Sequence, residues 1–450
     1  MRDSKIFFQF LTFTAMKKVL IITYYWPPMG GGGVQRWLKM SKYFREFGWE
    51  PIIFTTENGE ASVVDESIVS EIPEKIQTLR VPIWEPFDLY KKLLGKKKDE
   101  KIAPGMGQET ASNSILHKLS IWVRGNFFIP DARMFWIKPS VVFLEEYLKK
   151  NTIDAIVSTG PPHTTHLIAL RITKKIKIPW IADFRDPWTN IDFYHKLMLT
   201  SFADKKHKRL ELEVLRNATK VVTVTWSWAK DFEKIVNRKI DVITNGFDPN
   251  DFTESEVQLD EKFSITHAGS LNEDRNPKFL WQVLHELTQE LENFSQDLEI
   301  KLIGQIDVSV QQNVKQYNLE RNLTRFAHLP HGKVISHLIS SQVLLLPLND
   351  VPNINGVVPG KLFEYIGAKR PILCIGKSTG DASKIIQETN SGIVVDFKDK
   401  TLLKRAITSY YLEYKNKNLR ISSEGFEKYS RKVLAKQYAN ALTEITTQQQ

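Results

Sequence analysis

At 450 residues, and with ~150–200 residues to a typical domain, the chain predicts two or three domains. Hydrophobic residues make up 42% and charged residues 25%, which excludes wholesale disorder, while a single cysteine, Cys374, excludes an intramolecular disulfide and a cysteine-based zinc cluster. The 62 basic and 52 acidic residues leave a net charge of +10, a balance that favours nucleic acid, acidic lipid headgroups or phosphorylated substrates as partners.

The chain opens MRDSKIFFQFLTFTAMKKVLIITYYWPP. Its apolar stretch from Ile6 to Ala15 falls well short of the ~20 residues that span a bilayer. A basic residue precedes it and Ala15 closes it, as in a signal peptide. KKVLIITYY follows at once, however, and reads as a buried first strand of a cytoplasmic parallel-sheet domain. The folded part is expected to begin at Met16, with residues 1–15 an extension. No other run reaches spanning length, so no membrane crossing is expected. Without secretion, the Asn-x-Ser/Thr triplets at Asn217, Asn293 and Asn322 carry no glycosylation meaning.

From Lys18 the pattern alternates. KVLIITYY precedes the helix-like VQRWLKMSKYFREFG, in which Val34, Leu38 and Phe44 share a face. PIIFTT, DAIVST, PWIADF, KVVTVT and DVIT then recur as strands. Continuous apolar strands separated by helices predict a parallel sheet covered on both faces. After Asn245-Gly246-Phe247-Asp248-Pro249 a polar, acidic linker follows, and a second series begins: FSITHAG, LEIKLIG, VLLLPL, RPILCIG and SGIVVDF. Two such α/β units predict two Rossmann-like, doubly wound domains.

Residues 84–140 break the rhythm. Lys91, Lys92, Lys96, Lys97, Lys98 and Lys101 outnumber Asp99 and Glu100, and the aromatic-basic segment IWVRGNFFIPDARMFWIKP follows. The run reads equally as a solvated face and as an insertion touching anionic lipid, with Trp122, Phe127, Phe128 and Trp136 as interfacial anchors.

Open α/β sheets bind ligands at the carboxyl ends of their strands. After the first strand, PPMGGGGVQRW opens a helix with residues that let backbone amides approach an anion. It is a poor dinucleotide fingerprint, since Gln35 takes the third glycine position, and no Gly-Lys-Ser/Thr follows to make a P-loop. STGPPHTTH places His163 and His166 at a helix start, and ADFRDPW places Asp183, Arg185, Asp186 and Trp188 after the next strand. The aspartates and arginine fit either a site or a cap with an internal ion pair. In the second half, HAGSLNEDRNPKF places Arg275 and Lys278 after a strand, and GVVPGKLFEYIGAKRPIL places Lys361 and Glu364 on one helix face.

Taken in order, these segments resemble the glycosyltransferases of the GT-B fold, and glycosyltransferase family 4 in particular, over nearly the whole chain from Met16. The segments are PPMGGGGVQR, STGPPHTTHLIA, IADFRDPW, VITNGFDPNDF, HAGSLNEDRNP and PGKLFEYIGAKRPIL. The resemblance implies two Rossmann-like domains facing across a cleft, an acceptor-side domain over 16–252 and a donor-side domain over 260–423, with a helix over 424–446 returning to the first. It implies transfer from a nucleotide-sugar donor, UDP-linked, to a glycan or polyprenyl-diphosphate-linked acceptor, with retention and with no cofactor or metal. It implies Arg275, with Lys278, for the diphosphate and Glu364 for the ribose hydroxyls. Gly360 and Lys361 are expected beside the diphosphate or sugar, with Gly31, Gly32 and Gly33 facing them. His166 is expected at the donor sugar, and His163, Asp183, Arg185 and Asp186 on the acceptor side.

The chain departs from that family twice. Gly356 stands where the family has a glutamate near the transferred sugar, and Ser270 stands where it has an arginine. The rival expectations are a sugar-nucleotide epimerase of the same fold and a non-catalytic partner subunit. Nucleic acid is not expected, since no recognised module accompanies the charge. A cytoplasmic protein peripheral to the inner face of a membrane suits a lipid-linked acceptor.

Overall fold

A computed structural model of the protein describes residues 16–61, 63–86, 115–253, 258–327, 329–421 and 423–448. The lysine run from Lys91 to Lys101 and the extension over 1–15 lie outside the described residues. The first domain carries seven strands: β1 (Lys17–Ile22), β2 (Trp49–Thr56), β3 (Gln77–Val81), β4 (Ala155–Gly160), β5 (Trp180–Phe184), β6 (Lys220–Thr223) and β7 (Asp241–Val242). The second carries six: β8 (Phe263–Ala268), β9 (Leu298–Ile303), β10 (Leu323–Phe326), β11 (Val343–Pro347), β12 (Ile372–Ile375) and β13 (Gly392–Val395).

Both sheets are parallel, with strand orders β3-β2-β1-β4-β5-β6-β7 and β10-β9-β8-β11-β12-β13. Each order reverses once, between β1 and β4 and between β8 and β11. At the first reversal Val19 pairs with Ala155 and Ile22 with Ser158; at the second Val343 pairs with Ile265. Every residue of β4, β5, β8 and β11 is buried, as expected of strands with helices on both faces. The predicted α/β class and the pair of doubly wound sheets are therefore what the chain adopts.

Five tryptophans, Trp26, Trp37, Trp49, Trp136 and Trp180, fill the first core almost without exposure. Trp136 corrects an expectation. It stacks on Phe54 at 5.3 Å and its indole N–H donates to the Val81 carbonyl, so it anchors the core and no interface. Phe127, by contrast, is largely exposed, with Trp122 edge-on beside it.

The chain crosses between the domains twice. The crossings lie side by side: the Phe247 amide donates to Tyr429 O (3.1 Å) and the Arg431 amide to Phe247 O (2.8 Å). The last helix, Arg431–Thr447, then buries Leu434, Tyr438 and Leu442 in the first core. Further contacts join the domains. The Ser227 amide donates to Asp381 Oδ2 (2.8 Å), Lys384 Nζ sits 3.9 Å over the Trp226 ring, and Asn353 Nδ2 donates to Asn190 O (3.0 Å).

Candidate active site

A cavity of about 750 Å³ opens where the strand ends of the two sheets face one another. The first domain contributes Tyr25, His163, Asp186, Trp188 and Trp228 to its lining, and the second Arg275, Asn349 and Asn353. The glycine loop after β1 and the His163 loop after β4 flank the first reversal of strand order. Gly269 after β8 and Asn349 after β11 flank the second. These are the positions where doubly wound sheets hold ligands.

Arg275 bridges the second reversal: its Nε donates to Asn349 Oδ1 (2.9 Å) and its Nη1 to Ser270 O (3.2 Å). Among the described residues no carboxylate forms an ion pair with it. Burial holds its pKa below the usual arginine value. Lys361 begins the helix Lys361–Gly367, which Tyr365 docks by accepting from the Ala268 amide at 3.0 Å. The Lys361 ammonium reaches back to Gly269, where a Cβ would lie 2.5 Å from Nζ and where φ is +108°. Only glycine suits both conditions. Lys361 Nζ also lies 3.4 Å from His267 Nε2, and His267 Nδ1 donates to Leu345 O at 3.0 Å. Burial and then the Arg275 charge push the Lys361 pKa down to about 7. A half-buried amine beside a second basic group is poised to gain from an anion between them.

On the first-domain side, the imidazole of His163 stacks on Trp188 at 4.7 Å with the rings nearly parallel. Trp188 is held by its own N–H, which donates to His207 Nδ1 at 3.0 Å. Buried polar atoms of the cavity lining without a hydrogen-bond partner among the described residues include His163 Nδ1, Trp228 Nε1 and Asn353 Oδ1. A buried polar group without a partner costs free energy until a ligand satisfies it.

The comparisons with known proteins agree on the architecture. Residues 102–251 match the family model described as Glycosyltransferase Family 4. No curated protein matches the sequence. Among solved structures, HepE of Anabaena in complex with UDP-glucose is 13% identical with a TM-score of 0.59, covering 95% of this chain and 99% of that one. TarM of S. aureus, in complex with fondaparinux, α-GlcNAc-glycerol and UDP, is 11% identical with a TM-score of 0.59, covering 95% and 100%. Sucrose-phosphate synthase of Thermosynechococcus elongatus is 13% identical with a TM-score of 0.57, covering 96% and 97%. The fold is GT-B.

Within the GT-B cleft the residues singled out in the sequence fall into three groups. The cavity itself gathers His163, Asp186 and Arg275. Lys361 and Glu364 sit on one short helix capped by Gly360, outside the cavity lining, while Gly31 and Gly32, also outside it, leave open space where their Cβ atoms would be. Gly31 has φ +88° and starts the helix Gly32–Ser41, whose amides are unobstructed there. Gly33 is pressed by Tyr25, 2.9 Å from its would-be Cβ.

The third group corrects expectations. Asp183 faces no acceptor. It is fully buried and accepts from Arg36 Nη2 (3.1 Å), Trp37 Nε1 (2.9 Å), Thr159 Oγ1 (2.8 Å) and Tyr438 OH (2.7 Å). Burial pushes its carboxyl up, but Arg36 and these hydrogen bonds outweigh that and hold it below the usual range. Arg185 spends its guanidinium on the carbonyls of Gly33 (2.7 Å), Gly160 (3.3 Å) and Pro161, so it pins two loops together behind the GT-B cleft. His166 lies behind His163, fully buried, with Nδ1 2.8 Å from Ser158 Oγ and its ring stacked on Phe184. Burial pushes its pKa down to about 3. Lys278 is exposed on the first turn of its helix, outside the cavity.

Gly356 has a structural reason. A Cβ there would lie 2.3 Å from both Cδ1 and Nε1 of Trp228. The indole edge of the first domain occupies the space that a side chain at position 356 would need.

Proposed function

We propose that this protein is a glycosyltransferase that moves a sugar from a nucleotide-sugar donor to a glycan or lipid-linked acceptor, with retention, in the assembly of a cell-surface polysaccharide. One observation carries the reading: Arg275 and Lys361, two half-buried basic side chains without a carboxylate ion pair among the described residues, converge where the strand order of the second sheet reverses. Departure of a nucleoside diphosphate builds negative charge on its phosphates as the sugar becomes oxocarbenium-like. Preorganised cations aimed at that charge lower the barrier without reorganising. In this reading the amides at the start of Gly32–Ser41, left open by Gly31 and Gly32, meet the same charge from the first domain. In this reading the protein's own groups carry the catalysis and no cofactor takes part. His163 and Asp186 are two of the polar groups lining the cavity on the first-domain side, and in this reading they meet the acceptor.

A uridine donor is supported by the complexes of HepE with UDP-glucose and TarM with UDP. An anionic membrane surface reached from the cytoplasmic side belongs to the same proposal. A lipid-linked acceptor at a membrane surface is supported by the exposed Leu119, Phe127, Met198 and Phe202. Asn126 ties their two segments together by bonding Met198 O (3.2 Å) and the Thr200 amide (2.7 Å). No described helix is long and apolar enough to cross a membrane.

The test is incubation with a panel of labelled nucleotide sugars and a polyprenyl-diphosphate-linked acceptor. Transfer that R275A abolishes supports the reading. Acceptor-free isomerisation identifies an epimerase instead, and donor binding without turnover a non-catalytic subunit.

A further inference from the structure

Glu364 is not a free carboxylate in this structure. Its Oε1 accepts from Nε2 of His331 at 3.3 Å, and the two side chains are 29% and 22% exposed. Among the described residues no other side chain hydrogen bonds or ion pairs with that carboxylate. His331 begins a separate helix, His331–Ser340, directly after Pro330. We propose that His331 is a positioning residue for the donor, holding the Glu364 carboxylate in the orientation that receives both ribose hydroxyls of a nucleoside diphosphate. The proposal rests on the reading of Glu364 as the ribose ligand.

The geometry suits holding better than blocking. A carboxylate offers about four lone-pair sites; one bond from His331 leaves enough for two hydroxyls. The backbone of Glu364 is already fixed, because Tyr365 docks its helix against Ala268. What stays mobile is the glutamate side chain, and tethering it in advance removes an ordering cost from ligand binding. His331 is itself steadied from elsewhere. Asp251 and Lys39 face it from the first-domain side, themselves paired at 2.6 Å, and Glu364 faces it from the second. Burial lowers its pKa, but Glu364 and Asp251 outweigh that and raise it above the usual histidine value. The residue that orients the ribose ligand is thus itself in the field of the crossing between the domains.

The experiment is calorimetric titration with UDP, GDP and ADP, carried forward with whichever binds the wild-type protein most tightly. H331A should weaken binding roughly fivefold, the scale of one lost hydrogen bond, and H331Q, which keeps an N–H donor, should recover most of it. In an E364Q background H331A should add no further loss. For the corresponding 2′-deoxynucleoside diphosphate the effect of H331A should shrink. Melting temperatures identify any variant that is merely unfolded, and H331F, which keeps a ring but no donor, then carries the cycle with E364Q. Wild-type affinity in H331A, or an equal loss with and without Glu364, overturns the proposal while leaving the ribose reading intact. Unchanged binding in E364Q, or no binding of any of the three, overturns both.

Discussion

The indole edge of Trp228 lies against the α-carbon of Gly356, one residue from each domain. That contact accounts for the missing glutamate: a side chain at position 356 and the ring at position 228 compete for one space. Trp226 and Ser227, immediately before Trp228, also touch the second domain, at Lys384 and Asp381. The start of the helix Trp226–Val236 therefore acts as a wedge that seats the domains on one another.

Substituting Gly356 should disturb that seat. G356A should destabilise by about 1–3 kcal/mol, the usual range for overpacking, and should widen the interdomain arrangement seen by small-angle scattering. Adding W228A should relieve both effects. A G356A protein with wild-type melting and scattering would show that the ring moves aside at no cost.

The two histidines should separate function from folding. H163A removes a cavity-facing ring and should lower kcat/KM by more than tenfold with a small change in melting temperature. H166A removes a buried ring stacked on Phe184 and should cost about 2–4 kcal/mol, with activity per folded molecule retained. Assays of both variants beside thermal melts check this.

Lys361 supplies a pH dependence with a definite sign. With its pKa pushed down to about 7, the amine is largely neutral in the free protein above that value. An adjacent diphosphate favours the charged form, so binding at about pH 8 should take up a proton. Affinity should fall as pH rises through 7. Calorimetry in buffers of different ionisation enthalpy reads the uptake, which K361M should remove. A heat of binding independent of buffer would contradict this role.

Asp183 should prove structural. D183A leaves Arg36 buried without its carboxylate and should cost about 3–5 kcal/mol. Since its folded pKa lies below its unfolded one, its contribution is present above the unfolded carboxylate pKa and is lost as pH falls through the folded value. The acid limb of the stability curve, measured by denaturant titration, should therefore flatten in D183N.

The alternation of apolar runs and helical stretches made both sheets legible, because parallel strands buried on both faces leave a continuous signature. The strand-end motifs located the cleft for the same reason: β1, β4, β8 and β11 fall at the reversals of strand order. Motif type did not reveal which way a side chain turns. Asp183 and Asp186 stand three residues apart after one strand, yet one points inward to Arg36 and Tyr438 while the other reaches the cavity. Trp228 and His331 carry no local pattern at all. Their roles arise from Gly356 and Glu364, more than thirty residues away or more than a hundred, and only the folded chain brings them together.

Tyr438 reaches Asp183 from the far end of the chain, and this has a consequence for synthesis. The first domain shares its core with a helix that leaves the ribosome only after the entire second domain. Until then Asp183, Arg36 and the apolar surface beneath Leu434 and Leu442 lack their cover. Nascent chains halted near residue 253 should hold an unfinished first domain that invites chaperones, and trimming the final helix should injure the half of the protein farthest from it in sequence.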